Sequence, residues 1–147
     1  MKRDGRVLWA RHPQAHHAPA SLAKMMTALL VLEHGHLEEV VSVSRAASRE
    51  TGSRIRLRAG EQLRVQDLLA ATIVASANDA CRALADYLGP IDFVARMNER
   101  AAELRLDDTH FVDPCGHDRA GQYSTAEDLA RLAEDGFGPG GAGRRQK

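Results

Sequence analysis

At 147 residues the chain is long enough for one ordinary domain with a real core, and 44% apolar residues with mixed charges describe a globular protein rather than a disordered one. Twenty acidic residues balance twenty basic ones, so no basic field attracts nucleic acid, and 4% aromatic content offers few stacking platforms.

The chain opens on Met1-Lys2-Arg3, which is charged but has no apolar stretch behind it to make a secretory signal. As written, it would stay in the cytoplasm. Asp4-Gly5 is a tight-turn dipeptide, and Val7, Leu8 and Trp9 read as the strand that follows. Only three residues precede that turn, as though the chain began in the middle of a hairpin. A polar connection through Gln14 to Ala18 leads into the stretch on which the rest depends.

That stretch is a helix opening at Ser21 and stopping at Gly35, a residue favoured just past a helix C-terminus. Leu22, Met25, Met26, Leu29, Leu30, Val31 and Leu32 place apolar side chains on nearly every side, which predicts a buried helix. It is too short, and too polar at its start, to span a bilayer. Inside its first turn Ser21 and Lys24 lie one turn apart on a shared face. Only three of the twenty basic residues are lysines, and Lys2 and Lys147 sit at the chain ends. Arginine stays protonated, whereas a lysine among apolar neighbours can lose its proton and act as a base. Serine beside a base is a nucleophile arrangement, and the helix N-terminus favours a nearby oxyanion. A helix cap followed by a snorkelling lysine would give the same spacing without any chemistry.

Val40, Val41 and Val43 form a short extended piece. Arg54-Ile55-Arg56-Leu57-Arg58 alternates charge with apolar side chains, the pattern of a half-buried strand, and after Ala59-Gly60-Glu61 a return strand takes Leu63 and Val65. A helix follows from Gln66 to Val74. It breaks at Ala75-Ser76-Ala77, and Asn78-Asp79 can cap a second helix running to Leu88 and closed by Gly89. A third, from about Ile91 to Leu104, buries Phe93, Val94, Met97, Ala101 and Leu104. Thr109 to Pro114 is extended, and Cys115 to Gln122 is loop. Ser124-Thr125-Ala126-Glu127 reads as a capping box for a last helix with Leu129 and Leu132 inward. Residues 1–135 therefore form the domain, and 136–147 a flexible glycine-rich tail.

Cys81 and Cys115 have no metal-site spacing and could pair only if the fold brings them together. Seven histidines include no H-E-x-x-H arrangement, and solvated histidines are the simpler reading, with no metal expected. Ser76-Ala77-Asn78 sits in the break between two helices, where a hydroxyl and an amide can face inward. Alone it would be an interhelical turn with an Asn cap. Following an S-x-x-K, it is the second motif of a serine-acyltransferase signature.

With Val7-Leu8-Trp9-Ala10, Pro19 through Thr27, Gly60-Glu61 and Ala75 through Ala80, the sequence resembles the D-alanyl-D-alanine carboxypeptidases. These are low-molecular-mass penicillin-binding proteins. Phe93-Val94 with Met97-Asn98, Asp108 through Phe111 and Gly121 through Ala126 are similar to the same family in the same order, so the likeness covers about residues 5 to 134. The resemblance implies an α+β, β-lactamase/transpeptidase-like fold, represented mostly by its helical lobe with an incomplete antiparallel sheet. It also implies that Ser21 attacks the D-Ala-D-Ala carbonyl and that Lys24 takes the serine proton. Ser76 would pass a proton to the leaving D-alanine, and Asn78 would hold Lys24 and the substrate backbone. Peptidoglycan stem peptides would be the substrates, β-lactams the inhibitors, and no cofactor or metal would be needed. The setting implied is extracytoplasmic, in the periplasm or cell envelope. A class A β-lactamase is the enzymatic alternative, but Ala77 stands where that class has Asp, and no Glu presents itself to activate the deacylating water.

No K-T-G or H-T-G occurs in the 147 residues. The expectation is a chain shortened at both ends, whose central helix exposes apolar surface on its open side. An inactive homologue, at most a binding fragment, is the alternative that follows.

Overall fold

The computed structural model describes residues 2–3, 6–7, 20–117 and 120–139. Strands β1 (Lys2–Arg3) and β2 (Arg6–Val7) pair antiparallel, with Lys2 opposite Val7 and Arg3 opposite Arg6. The Asp4-Gly5 turn expected between them lies outside the described residues, as do Leu8, Trp9 and the Gln14–Ala18 connection.

Helix α1 (Ala20–His34) is central. Its residues from Leu22 to Lys24 and from Met26 to Val31 are all buried, which corrects the expectation of an apolar face left open. Two apolar clusters share it. Leu22, Met26, Leu29 and Leu30 pack with Ala85, Phe93, Met97, Phe111 and Leu132, whereas Val31 packs with Val41, Val43, Leu57, Val65, Leu68 and Leu84. Each fully buried Leu or Phe of this kind is stabilised by about 1.5–3 kcal/mol. Among the described residues, the large apolar side chains that are exposed lie elsewhere, at Val40, Ile55, Ile73, Val74 and Ile91.

Strand β3 (Val40–Ser42) pairs antiparallel with β4 (Gln62–Arg64), Val41 opposite Leu63. Between them sits one short helix, α2 (Arg45–Ser48), whose N-cap Ser44 accepts from the Ala47 N–H at 3.0 Å. Residues 54–58, expected to be a strand, are not one. The N–H groups of Ile55 and Leu57 donate to the two carboxylate oxygens of Asp79, at 3.1 and 2.9 Å, and Arg56 between them has a left-handed φ of 63°. The alternation does not carry through to burial, since Leu57 is buried but Ile55, two residues before it, is exposed, and a side chain supplies the acceptors that a strand would have supplied.

Helices α3 (Val65–Val74), α4 (Asn78–Leu88) and α5 (Phe93–Glu103) fall close to the expected positions. Asn78 and Asp79 do not cap α4; Ala77 occupies the N-cap and makes no side-chain cap bond. The guanidinium of Arg100 on α5 ties α1 at Glu33, with Nη2 2.7 Å from Oε2. Helix α6 (Ala126–Arg131) opens one residue later than the capping box suggested, because Thr125 is the cap and accepts from the Asp128 N–H at 3.1 Å. It continues into a π-helical turn, Leu132–Gly136. There a Cβ added to Gly136 would come within 3.1 Å of both Leu29 and Leu132, so glycine permits the close approach of this turn to α1. Phe137 also packs on the core, so the packed structure runs past the expected boundary at 135. Of the expected tail, residues 140–147 lie outside the described residues.

The segment between α5 and α6 has little regular structure but is closely tied. His110 and Tyr123 exchange backbone bonds of 2.9 and 3.1 Å. Asn98 of α5 holds Phe111 reciprocally, giving to its carbonyl and accepting from its N–H at 2.8 Å each. Gln122 Oε1 accepts from the N–H groups of Val112 and Asp113 at 2.8 and 2.9 Å. Cys115 is disulfide-bonded to Cys81 of α4, with the Cα atoms 5.8 Å apart.

Candidate active site

Ser21 lies in the first turn of α1, and Lys24 follows it by one turn. Side chains along this helix are described from Leu22 onward. Lys24 is only 8% exposed, and its Nζ donates to Ser76 Oγ at 3.0 Å, across a separation of 52 residues. Burial lowers the Lys24 pKa below the usual lysine range, because the ammonium form loses its water; the negative charge of Asp113 opposes that shift without cancelling it.

Ser76 stands in the break between α3 and α4 with a φ of 53°, in the left-handed region that a serine rarely adopts. This conformation lets the chain turn back at once while the serine hydroxyl meets Lys24. Segment 51–53 braces the turn. The Asn78 N–H donates to the Ser53 carbonyl at 2.7 Å, Asn78 Nδ2 to the Thr51 carbonyl at 2.7 Å, and Ser53 Oγ to the Ala75 carbonyl at 3.1 Å. Gly52 has a φ of +80°, and a Cβ there would lie 2.8 Å from Asn78 Nδ2, so a side chain would push the amide away.

Ser21, Lys24 and Ser76 thus come from the start of α1 and the α3–α4 break, two places the fold puts side by side. Asn78 is present and 9% exposed, but its amide nitrogen is engaged by Thr51 rather than by Lys24. Its Oδ1 is buried and has no hydrogen-bond partner among the described residues. A buried amide oxygen left this way costs about 1–3 kcal/mol unless something outside the chain satisfies it. Nothing in the sequence alone marks Thr51, Gly52, Ser53 or Asp113 for this site. Thr51-Gly52-Ser53 had a turn's composition, but only the fold shows which turn it braces.

The histidines divide. His34 and His36 are exposed, whereas His117 is half-buried and its Nε2 lies 2.7 Å from Glu50 Oε1, a paired rather than a solvated group. His16 and His17 lie outside the described residues. Among the described residues no group of His, Cys, Asp and Glu is arranged to hold a metal, and no helix is long and apolar enough to cross a membrane.

The family profile of the D-alanyl-D-alanine carboxypeptidases, Peptidase S11, matches residues 2–137. The chain belongs to this family. It is 37% identical over 143 residues to the D-alanyl-D-alanine carboxypeptidase DacF of Bacillus subtilis, covering 92% of this chain and 37% of that one. With DacD of Escherichia coli the identity is 39% over 142 residues, covering 88% and 37%. The crystal structure of the D-alanyl-D-alanine carboxypeptidase from Mycobacterium tuberculosis superimposes with a TM-score of 0.83 at 32% identity, over 92% of this chain and 53% of that one. Penicillin binding protein 6B from E. coli gives 0.79 at 38% identity, over 88% and 45%. This S11 chain therefore has a part of the penicillin-binding-protein fold, mostly helical with small antiparallel sheets, and spans about a third of the length of the curated relatives it matches.

Proposed function

We propose that this S11 chain carries the nucleophile, base and proton-relay residues of a serine D-Ala-D-Ala carboxypeptidase acting on peptidoglycan stem peptides. The observation that carries the reading is the 3.0 Å bond between Lys24 Nζ and Ser76 Oγ, made by a lysine whose pKa burial has lowered. A neutral amine can donate one N–H to Ser76 and keep its lone pair for the Ser21 proton. The Ser21 oxygen then attacks the carbonyl between the two D-alanines, and the proton returns through Ser76 to the amine of the departing D-alanine. Water completes the cycle by hydrolysing the acyl-enzyme. β-Lactams would enter by the same attack and stay attached. The orphaned Asn78 Oδ1 suits an N–H of the bound peptide, which would supply the missing donor.

The extracytoplasmic setting belongs to the same proposal. The Cys81–Cys115 disulfide supports it, since such bonds persist in oxidising compartments.

Incubation with a fluorescent penicillin followed by peptide mass spectrometry tests the reading. The expected result is one adduct, on Ser21. No adduct at high probe concentration would show that these residues alone form no working site. The acylation rate should rise with pH through the lowered Lys24 pKa, because only the neutral amine accepts a proton. An acylation rate that nowhere rises with pH below the ordinary lysine range would remove Lys24 from the role of base.

A further inference from the structure

The Asn78 oxygen is left without a partner because the amide nitrogen is the atom that the Thr51 carbonyl takes, at 2.7 Å. Whatever fixes Thr51 therefore fixes which end of the amide is available. Thr51 is exposed, in the connection between α2 and β4, and Gly52 follows it with a left-handed φ of 80°. A surface turn of this kind moves freely unless a neighbour anchors it. The anchor is the residue before it. The Glu50 side chain is only 12% exposed, and both of its oxygens are held: His117 Nε2 lies 2.7 Å from Oε1, and Arg82 Nη1 lies 3.4 Å from Oε2. A carboxylate facing a ring nitrogen accepts, so the His117 ring carries its hydrogen on Nε2.

The two groups that hold Glu50 are themselves fixed close to Asn78. Arg82 stands one turn along α4 from Asn78, and its Nε donates to Asp86 Oδ1 at 3.1 Å. Asp86 Oδ2 in turn accepts from Ser44 Oγ at 2.6 Å. His117 follows Cys115 by two residues, and the disulfide joins Cys115 to Cys81, in the first turn of α4. The His117 carbonyl also accepts from Gln122 Nε2 at 2.6 Å. These contacts close a ring. It runs from Asn78 along α4 to Cys81, across the disulfide to Cys115 and His117, over to Glu50, and from Thr51 back to Asn78. The other links are covalent, helical or a hydrogen bond to the backbone. His117–Glu50 is the link that two side chains make.

We propose that Glu50 and His117 are positioning residues for Asn78, a side-chain clasp that sets the 51–53 turn so that the Asn78 oxygen is kept for an amide N–H of the bound stem peptide. The proposed carboxypeptidase function gives that oxygen its ligand, and the clasp rests on that reading for its catalytic meaning. Neither side chain exchanges a proton with the substrate. Opening the clasp frees Thr51 and lets the amide turn. A donor then replaces the acceptor where the substrate N–H arrives, so the loss falls on ligands that bring such an N–H.

Asparagine occurs only at Asn78 and Asn98, which makes the test direct. Protein labelled with 15N on the asparagine side chains gives two amide signals, and Asn78→Ser identifies one by its loss. In His117→Ala the Asn78 amide hydrogens should exchange with water about tenfold faster, while those of Asn98, held by the Phe111 carbonyl, stay as they were. Unchanged exchange at Asn78 overturns the clasp. His117→Gln can still donate to Glu50 and should restore slow exchange; a failure to restore it also counts against the clasp. Should His117→Ala not fold, Glu50→Ala opens the same contact and carries the same expectations. In acylation, His117→Ala should react about tenfold more slowly with benzylpenicillin, whose acylamino group brings an N–H, and at an unchanged rate with sulbactam, which lacks that group. Equal slowing of both overturns the positioning role, because a general loosening of the site acts on both. If exchange quickens but the unsubstituted chain takes neither β-lactam on Ser21, the clasp stands and the carboxypeptidase reading fails. If Ser21 is acylated and neither exchange nor the benzylpenicillin rate responds, the clasp alone fails.

Discussion

Among the described residues, two polar clusters with buried members, around Asp128 and around Lys24, are finished differently. At the α5–α6 junction, Asp128 Oδ2 accepts from the Asp108 N–H at 2.9 Å and from Thr109 Oγ1 at 2.6 Å, and Thr109 Oγ1 meets Ser124 Oγ at 2.7 Å. Every contact there joins one stretch of chain to another. At the Lys24 cluster, the Asn78 oxygen has no partner among the described residues, the Ser76 backbone is held in an unfavourable conformation, and a lysine sits where its charge is penalised. The first cluster has spent its hydrogen-bonding capacity on holding the fold. The second keeps capacity in reserve, and reserve of that kind costs stability, as expected of the proposed site.

Substitutions should separate the two. The largest effect is expected from Lys24→Arg, which preserves charge and removes the proposed base: acylation by a fluorescent penicillin should slow about a thousandfold or more. An unchanged rate would move Lys24 into the structural class. Lys24→Met should lose acylation too, yet hold or raise the thermal midpoint. The sign follows from linkage. The folded-state pKa lies below the unfolded one, so the unfolded chain binds the extra proton. This opposes folding below the folded-state pKa and fades as pH rises towards the unfolded value near 10.4. A stability gain from Lys24→Met should therefore be seen at neutral pH and shrink in alkaline buffer.

Next in size is the disulfide. Replacing Cys81 and Cys115 by serine opens a loop with a sequence separation of 34, and urea titration should show a loss of about 3–4 kcal/mol. Asp128→Ala should come third, at about 2–3 kcal/mol, because it strands the Asp108 N–H and the Thr109 hydroxyl; acylation of the folded fraction should be unaffected. An equal loss of acylation would join the two clusters into one. The smallest effect belongs to Ser76→Gly, which relieves a left-handed serine and should add about 1 kcal/mol to stability while slowing acylation.

Helices were legible wherever apolar periodicity met a clear stop, as in α1 before Gly35 and α4 before Gly89. The 54–58 segment was not, because a carboxylate 22 residues away from Leu57 imitates the neighbour strand and leaves the same alternation in the sequence. The box at Ser124 points one residue too early for a related reason. Ser124 and Thr125 are both good caps, and only packing shows that Ser124 is taken by Thr109. Of the proposed site, Ser21, Lys24, Ser76 and Asn78 stand out in the sequence because their spacing is a signature. Asp113 and the 51–53 brace could not, because their importance lies in what they stand beside. Asn98 and Gln122 lie in stretches that resemble the family, and both clamp the segment from Phe111 to Asp113.

The Cys81–Cys115 bond also closes the chain into a covalent ring that contains the whole of α5. A protease cutting once inside that ring releases nothing: both products stay on one thread, and they separate only after a reductant has acted. In an environment rich in proteases and poor in thiols, a nicked molecule would keep α1, α4 and the Asp113 segment together.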